Sequence, residues 1–442
     1  MAIIKKNLLN LFYLFLILHL VLWTVVPSIV NKNLPLDVIE ALAWGSNLDW
    51  GFNKHPPGSA FFPEVFFRIF GPQDWSYYFL SQIFVITSFY FVFKLSYEFL
   101  NDLRLSIISV VLLESIFFYN FTTPEFNVNV SQLPFWAIAV YLTWQIFKTE
   151  NPRIVDLIFL GIVAAVGFLC KYLFLYLLIS LALFFIYFIF IIQKKQFKFI
   201  YLISIEVFLV LLVPHFIWLS NNEFITITYG LGRTGLEGNT VIDHFKNPIM
   251  LLIKQLVILI PFFLLCFTLN NKLRLNINFN DKKIIFLIFI NFIPLILILF
   301  TSLVSGSKIR TMWMTPFYLY IGLIIVYLYK SKINFKKINY FIICFIFLFF
   351  LSPFLYAYVS ISNDDKRTDY PGKQIANKVQ LEWDKNFDEP IGFVIGDEWN
   401  AGNLSYHLKS RPKWEGFINN NNILNEAKEY ICIDDICVGT YK

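Results

Sequence analysis

Five ionisable side chains crowd into segment 36–57: Asp37, Glu40, Asp49, Lys54 and His55. Asp37 and Glu40 are three residues apart, so a helix puts them on one face. Such a carboxylate pair can take a proton from a hydroxyl, hold sugar hydroxyls or bind a metal. A solvated loop with ordinary acids explains the same pair. Trp44, Trp50 and Phe52 add aromatic faces that suit sugar rings, although interfacial tryptophan is also routine. Pro56 and Pro57 fix an extended path after Lys54 and His55. Lys54 can meet a phosphate as a point charge. His55 can serve as metal ligand, acid or structural donor. A divalent metal, with Glu40 and His55 among its ligands, is the one cofactor left open.

Other polar residues recur between apolar runs. Segment 122–129 carries Glu125, Asn127 and Asn129, and its Thr-Pro-Glu order also reads as a helix start. Lys171 and Tyr172 interrupt an apolar stretch. A charge at mid-bilayer costs about 2.5–3.5 kcal/mol, so Lys171 needs a partner or the interface, where it would snorkel. Lys308 and Arg310 offer either a phosphate clamp or an interface anchor. Asn221, Asn222 and Arg233 are weaker candidates. The chain has no Walker loop, Gly-rich dinucleotide loop, HExxH or zinc-type cysteine spacing. An enzyme using these carboxylates and cations must therefore receive its substrate within the membrane.

The elements that position these residues follow from composition. The chain has 442 residues, 57% hydrophobic and 15% charged, against about 25% charged in soluble domains. The bilayer must be the solvent for most of it. Apolar runs near 8–30, 75–97, 104–121, 131–148, 155–170, 172–192, 199–219, 248–269, 284–304, 311–329 and 338–359 predict about eleven transmembrane helices. The first run is too long for a signal peptide and is read as an uncleaved anchor. With the N-terminus inside, the inner segments hold Lys194, Lys195, Lys198, Lys272, Arg274, Lys282, Lys283, Lys330, Lys332, Lys336 and Lys337. The short outer loops carry few basic residues, as the positive-inside rule requires. The net charge of +6 is thus a topology signal, and no nucleic-acid partner is implied.

The first outer loop, 31–74, predicts two short interfacial helices, Asp37 to Trp44 and Ser59 to Phe70. Glu64 and Arg68 stand i,i+4 on the second. The tail is polar and alternating. Residues 391–395 and 431–433 read as strands and 372–383 as a helix. The division is a membrane domain over 1–360 and a small α/β extracytoplasmic domain over 361–442. Cys432 and Cys437 either close a disulfide across a short turn or remain free thiols.

Several motifs, taken together and in order, resemble a known family. They are Leu-Asp37-Val-Ile-Glu40-Ala-Leu-Ala-Trp-Gly, Trp50-Gly-Phe-Asn-Lys54-His55-Pro-Pro, Thr-Pro-Glu125-Phe-Asn127-Val-Asn129 and Gly167-Phe-Leu-Cys-Lys171-Tyr172. Pro214-His215-Phe-Ile-Trp218, Ser305-Gly-Ser-Lys308-Ile-Arg310 and Gly396-Asp-Glu-Trp extend the series. The chain resembles the GT-C membrane glycosyltransferases of family 39 type: protein mannosyltransferases, aminoarabinose transferases and lipopolysaccharide galacturonosyltransferases. The resemblance implies an all-α polytopic fold and a polyprenyl-phosphate sugar donor. It also implies transfer, usually with inversion, at the outer face of the bacterial inner membrane. The acceptor is lipid A or lipopolysaccharide, another glycan, or a protein. Carried over by position, Asp37 and Glu125 are the catalytic carboxylates. Lys54, Lys171, Lys308 and Arg310 meet the donor phosphate, with His55, Tyr172 and Asn127 beside the substrate. Many relatives have adjacent Asp-Glu in the first loop. Here two residues separate Asp37 from Glu40, which leaves the role of Glu40 open. A lipid-linked sugar flippase or a headgroup-binding scaffold are the competing classes. Glu114, Glu206 and Lys254 fall within predicted spans, as in a transporter, yet the densest charge lies in the outer loops.

Overall fold

The computed structural model describes residues 2–193, 197–235, 239–269, 277–333, 335, 338–416, 420–433 and 435–442. Lys194, Lys195, Lys272, Arg274, Lys336 and Lys337 of the predicted inner segments lie outside these residues.

Apolar length sets the main helices. They are α1 (Ala2–Val30), then α2 (Leu36–Gly45) and α3 (Gly58–Phe70) in the first long loop, and α4 (Asp74–Leu100). They continue with α5 (Leu103–Val111), α6 (Val128–Ser131), α7 (Leu133–Phe147), α8 (Ile154–Cys170), α9 (Phe174–Ile186), α10 (Leu202–Asn221) and α11 (Ile225–Arg233). The last of the membrane part are α12 (Asp243–Ile258), α13 (Ile260–Leu269), α14 (Lys282–Ser305), α15 (Ile321–Tyr329) and α16 (Ile338–Ser362). Among the described residues, six helices are long and apolar enough to cross a membrane, or eight if two pairs bent by 47° each count once. The chain is a multi-pass membrane protein.

The eleven expected runs are largely helical; besides the two bent pairs, three of them are short or broken. Run 104–121 becomes α5 followed by 3-10 turns at Leu112–Ser115 and Phe117–Tyr119. The buried amide of Asn120 donates to the Glu114 carbonyl at 2.6 Å, an alternative bond that ends the helical ladder. Run 131–148 is split: Asn127 caps the short α6 through the Asn129 and Val130 amides, and α7 begins only after Gln132. The third, 155–170, is the 17-residue α8.

Local signals close the long helices. Asn101 takes a left-handed conformation (φ 52°) after α4, and Asp102 then caps α5. Asp281 caps α14, which ends at Gly306 with φ 68°. One buried core joins α1, α4, α5, α7, α9, α14 and α15, much of it aromatic. Phe12 stacks on Phe93 with ring centroids 4.0 Å apart.

The tail forms α17 (Gly372–Asn386), α18 (Asn400–His407) and α19 (Asn420–Glu426) with a four-stranded sheet. Strands β1 (Phe393–Ile395), β2 (Lys413–Trp414), β3 (Ala427–Ile433) and β4 (Ile436–Tyr441) are ordered β2-β1-β4-β3. The β1–β2 pair is parallel and the others antiparallel. Cys432 and Cys437 are joined by a disulfide across the β3–β4 turn. The tail's apolar core is completed by Ala43, Trp44, Phe52 and Ala60 from the first long loop. Gly402 brings α18 close to α2: a Cβ there would lie 3.0 Å from Ile39 Cγ2. Arg411 donates to the Leu42 carbonyl at 2.6 Å and to Glu64 at 2.8 Å. Tyr406 donates to Asp74 at 2.7 Å. The tail is thereby locked onto the segment that carries Asp37.

Candidate active site

Four junctions between membrane helices meet at one end of the bundle. The first follows α1. A helix start leaves backbone N–H groups without partners, and Pro35 offers α2 no side-chain cap. Glu125 supplies one: its carboxyl accepts the Asp37 backbone N–H at 3.1 Å. The Glu125 carboxyl is thereby bonded to the backbone of Asp37, across two loops far apart in sequence. Burial, then the charge of Asp37, pushes Glu125 up to about 8. Burial also raises Asp37, against the attraction of Lys171, Lys54, Arg367 and Arg233. At neutral pH this pair holds a proton, with Glu125 as the holder.

The loop carrying Glu125 is fixed from beneath. Gln82 on α4 donates to the Thr123 carbonyl and hydroxyl at 3.3 and 3.2 Å. Its own oxygen faces His19 Nε2 at 3.1 Å, and the other ring nitrogen of His19 meets Glu114. With its amide nitrogen turned to Thr123, the Gln82 oxygen is left to accept from His19 Nε2. Glu114 is thus part of a buried clamp on the 120–126 loop.

Lys171 sits in extended backbone between α8 and α9 (φ −164°, ψ 133°). It does not snorkel: the residue is 5% exposed and its ammonium donates to Asn129 Oδ1. The Trp313 ring lies 5.0 Å away, a cation–π contact. Burial brings Lys171 down to about 7, with the attraction of Asp37 opposing.

The second half of the first loop supplies the remaining wall. Gly51 passes so close to Trp218 that a Cβ would lie 2.3 Å from its ring. His215 Nδ1 faces the Trp50 carbonyl at 2.5 Å, which fixes the tautomer, so the Tyr172 hydroxyl donates to Nε2 at 2.8 Å. Thr226 donates to the Phe52 carbonyl at 2.7 Å. Tyr172 thereby anchors the loop. Lys54 lies between two carboxylates, Glu40 at 2.8 Å and Glu398 of the tail at 3.1 Å. Burial disfavours its charge, but these partners outweigh it and leave its pKa raised. A phosphate reaching Lys54 must displace one of them. His55 is edge-on to Trp44, with centroids 5.8 Å apart. Burial first, then Lys171, Lys54 and Arg233, bring it down to about 3, so the imidazole is neutral.

Asp37, Glu40, His55 and Asn127 share a crevice with Trp44 and Ser59. Its open volume is about 10 Å³, room for a single water. Glu40 and His55 therefore share a wall. Glu40 is taken by Lys54, and among the described residues no group of three or more His, Cys, Asp or Glu could hold a metal ion. The donor set present does not fit a metal centre.

Lys308 and Arg310 lie on the stretch after α14. The Lys308 amide donates to the Thr234 carbonyl at 2.9 Å, which sets that stretch beside Arg233. Among the described residues, Lys308, Arg310 and Arg233 have no carboxylate at ion-pair distance, and Arg233 packs on the Tyr229 ring at 5.7 Å. Sequence reasoning gave no separate role to Glu398, Arg367, Trp313 or the His19–Glu114–Gln82 clamp. Glu398 stood within a quoted motif, but only the fold brings it to Lys54. Arg367 carried no local signal, yet its charge reaches both Asp37 and Glu125.

The family model described as dolichyl-phosphate-mannose-protein mannosyltransferase matches residues 54–218. That stretch includes Lys54, His55, Glu125, Asn127, Lys171 and Tyr172. The crystal structure of ArnT from Cupriavidus metallidurans bound to undecaprenyl phosphate superposes with a TM-score of 0.62 at 11% identity. The superposition covers 91% of this chain and 85% of that one. The apo ArnT structure gives 0.58 at the same identity and coverage. No curated protein matches the chain by sequence. The family model matches part of the chain, and the superposition shows that the chain shares the fold of ArnT.

Proposed function

We propose that the chain transfers a sugar from a polyprenyl-phosphate donor to lipid A or lipopolysaccharide at the outer face of the bacterial inner membrane. In this reading the N-terminus is cytoplasmic, and the tail and the crevice are periplasmic. The observation that carries it is the meeting of Asp37, Glu125 and Lys171 from three separate helix junctions in one dehydrated place. The similar ArnT structure holds undecaprenyl phosphate, a lipid phosphate of the class proposed for the donor.

The reaction is a displacement at the anomeric carbon with a lipid phosphate as leaving group. Cations in a poorly hydrated site stabilise the charge that develops there. Lys171, Arg233, Lys308 and Arg310 are the groups for this role, and Lys54 joins once released from Glu40 or Glu398. With a hydroxyl acceptor, Asp37 takes the proton. A phosphate acceptor is already ionised, and Asp37 then orients sugar hydroxyls. Glu125, holding its proton at neutral pH, donates a hydrogen bond to the substrate while accepting the Asp37 amide. The crevice must open for a sugar to enter.

The mannosyltransferase match favours one second reading, a protein hydroxyl as acceptor. Mass spectrometry of lipid A, surface glycans and exported proteins from a deletion strain separates the two. Loss of a sugar from lipid A supports the first reading and loss from a protein the second. Unchanged profiles in all three count against both.

A further inference from the structure

A second cavity opens at the other end of the bundle. Its walls come from the C-terminal ends of α4, α7 and α15 and the N-terminal end of α14. The crevice lies by the opposite ends of these helices, and the 27 residues of α4 span about 40 Å. On the orientation proposed above, this cavity faces the cytoplasmic leaflet. Its volume is about 950 Å³, enough for a lipid headgroup with part of its chains.

Its lining is sharply divided. Lys148, Lys282, Lys283 and Lys330 contribute the charge, and Phe99, Trp144, Phe147, Phe188 and Tyr327 the apolar walls. Glu150 also lines the cavity and is not free, and the two other nearby acids are spent. Glu98 accepts from Trp144 at 2.9 Å, Gln145 at 2.5 Å and Lys148 at 2.9 Å. Asp281 accepts the Lys283 amide at 2.9 Å and the Tyr327 hydroxyl at 2.6 Å. Lys283 donates to the last carbonyls of α4, Glu98 and Phe99, both at 3.1 Å. Two cations remain over. Lys330 lies on the Tyr327 ring at 3.9 Å and Lys282 on the Phe188 ring at 5.6 Å. Among the described residues neither has a carboxylate at ion-pair distance. Two ammonium groups held on aromatic walls at the membrane surface complement an anion with an apolar body.

We propose that this cavity binds the phosphate headgroup of an anionic phospholipid of the cytoplasmic leaflet, with Lys282 and Lys330 as the paired contacts. Basic pockets between helices on this side of a membrane suit such headgroups.

The test titrates phosphatidylglycerol or phosphatidylcholine into the full-length protein in detergent and counts bound lipid by native mass spectrometry. Phosphatidylglycerol is retained and phosphatidylcholine is not. The double variant Lys282→Ala, Lys330→Ala binds phosphatidylglycerol about 30-fold more weakly. Millimolar inorganic phosphate leaves the lipid bound, which separates a headgroup site from a free-phosphate site. Equal binding of both lipids, equal binding by the double variant, or displacement by phosphate overturns the proposal. If the double variant does not fold, dibrominated phosphatidylglycerol decides. It quenches Trp144 in the wild type and loses that part of the quench in Trp144→Phe. An unchanged quench overturns the site. None of these readouts depends on sugar transfer, so failure here leaves the transferase reading standing.

Discussion

Glu125→Gln separates a proton-holding carboxyl from a catalytic base. Gln keeps an oxygen to accept the Asp37 amide, which lies 3.1 Å from Glu125. It also keeps a donor where the protonated acid has one. Burial and the Asp37 charge raise Glu125 from 4.5 to about 8. Below pH 4.5 the carboxyl is protonated in folded and unfolded chains alike and has no effect on stability. Between 4.5 and 8 the unfolded chain releases the proton and the folded chain keeps it, so stability falls as pH rises. The accumulated penalty is on the order of 3–5 kcal/mol at and above neutral pH, from about 1.4 kcal/mol per pKa unit. Glu125→Gln removes it. The variant's Tm is expected above wild type at pH 8 and level with it near pH 4.5. Transfer at pH 7 is expected to stay within a few-fold of wild type, because Gln resembles the protonated acid. The alkaline loss of activity centred near pH 8 is expected to weaken. The assay is a pH series of thermal unfolding and initial transfer rate. A loss of 100-fold or more at pH 7 with an intact Tm would refute the reasoning and make Glu125 a carboxylate base.

Asp37→Asn is expected to keep expression and fold, and to lose at least about 100-fold in kcat with a hydroxyl acceptor. With a phosphate acceptor the loss is smaller, so the acceptor series of this variant reports which chemistry operates. Lys171→Met removes the buried cation beside Asp37 and is expected to cost about 10²–10³ in kcat. It also raises the Asp37 pKa, because Lys171 is the strongest group lowering it, and the acid limb of the pH–rate profile moves up. Arg411→Ala removes the buried partner of Glu64 and leaves it only the exposed Arg68 at 3.2 Å; it is expected to weaken the tail's docking by about 2–3 kcal/mol, read as lower Tm and faster proteolysis of the tail.

The helical character of every apolar run was legible, because bilayer length and hydropathy act on local sequence. The breaks were not. Run 104–121 is apolar enough to cross, but Glu114 turns to His19 on α1 and Asn120 to the chain, and both partners are products of tertiary packing. The two helices of the first loop followed from the spacing around Asp37 and from the proline pair. Asp37 and Glu40 share the crevice, as their three-residue spacing required. Their partners differ: Asp37 meets Glu125 and Glu40 meets Lys54. Lys171 stood out because a charge in an apolar run needs a reason, and its bond to Asn129 gives one. Glu398 lies 344 residues after Lys54 in sequence, so no local pattern could pair them. The fit of the tail onto α2 depends on Gly402 and Arg411, ordinary residues until the two surfaces meet.

The central claim is sugar transfer from a lipid-linked donor through the Asp37 site. The most direct measurement reconstitutes purified wild type and Asp37→Asn in nanodiscs with a panel of polyprenyl-phosphate sugars and lipid A or a hydroxyl acceptor, and follows the product by mass spectrometry. The account predicts a sugar-sized mass gain on an acceptor with wild type, and a rate at least about 100-fold lower with Asp37→Asn on a hydroxyl acceptor. No transfer from any donor by folded wild type, or wild-type turnover by Asp37→Asn on that acceptor, would contradict it.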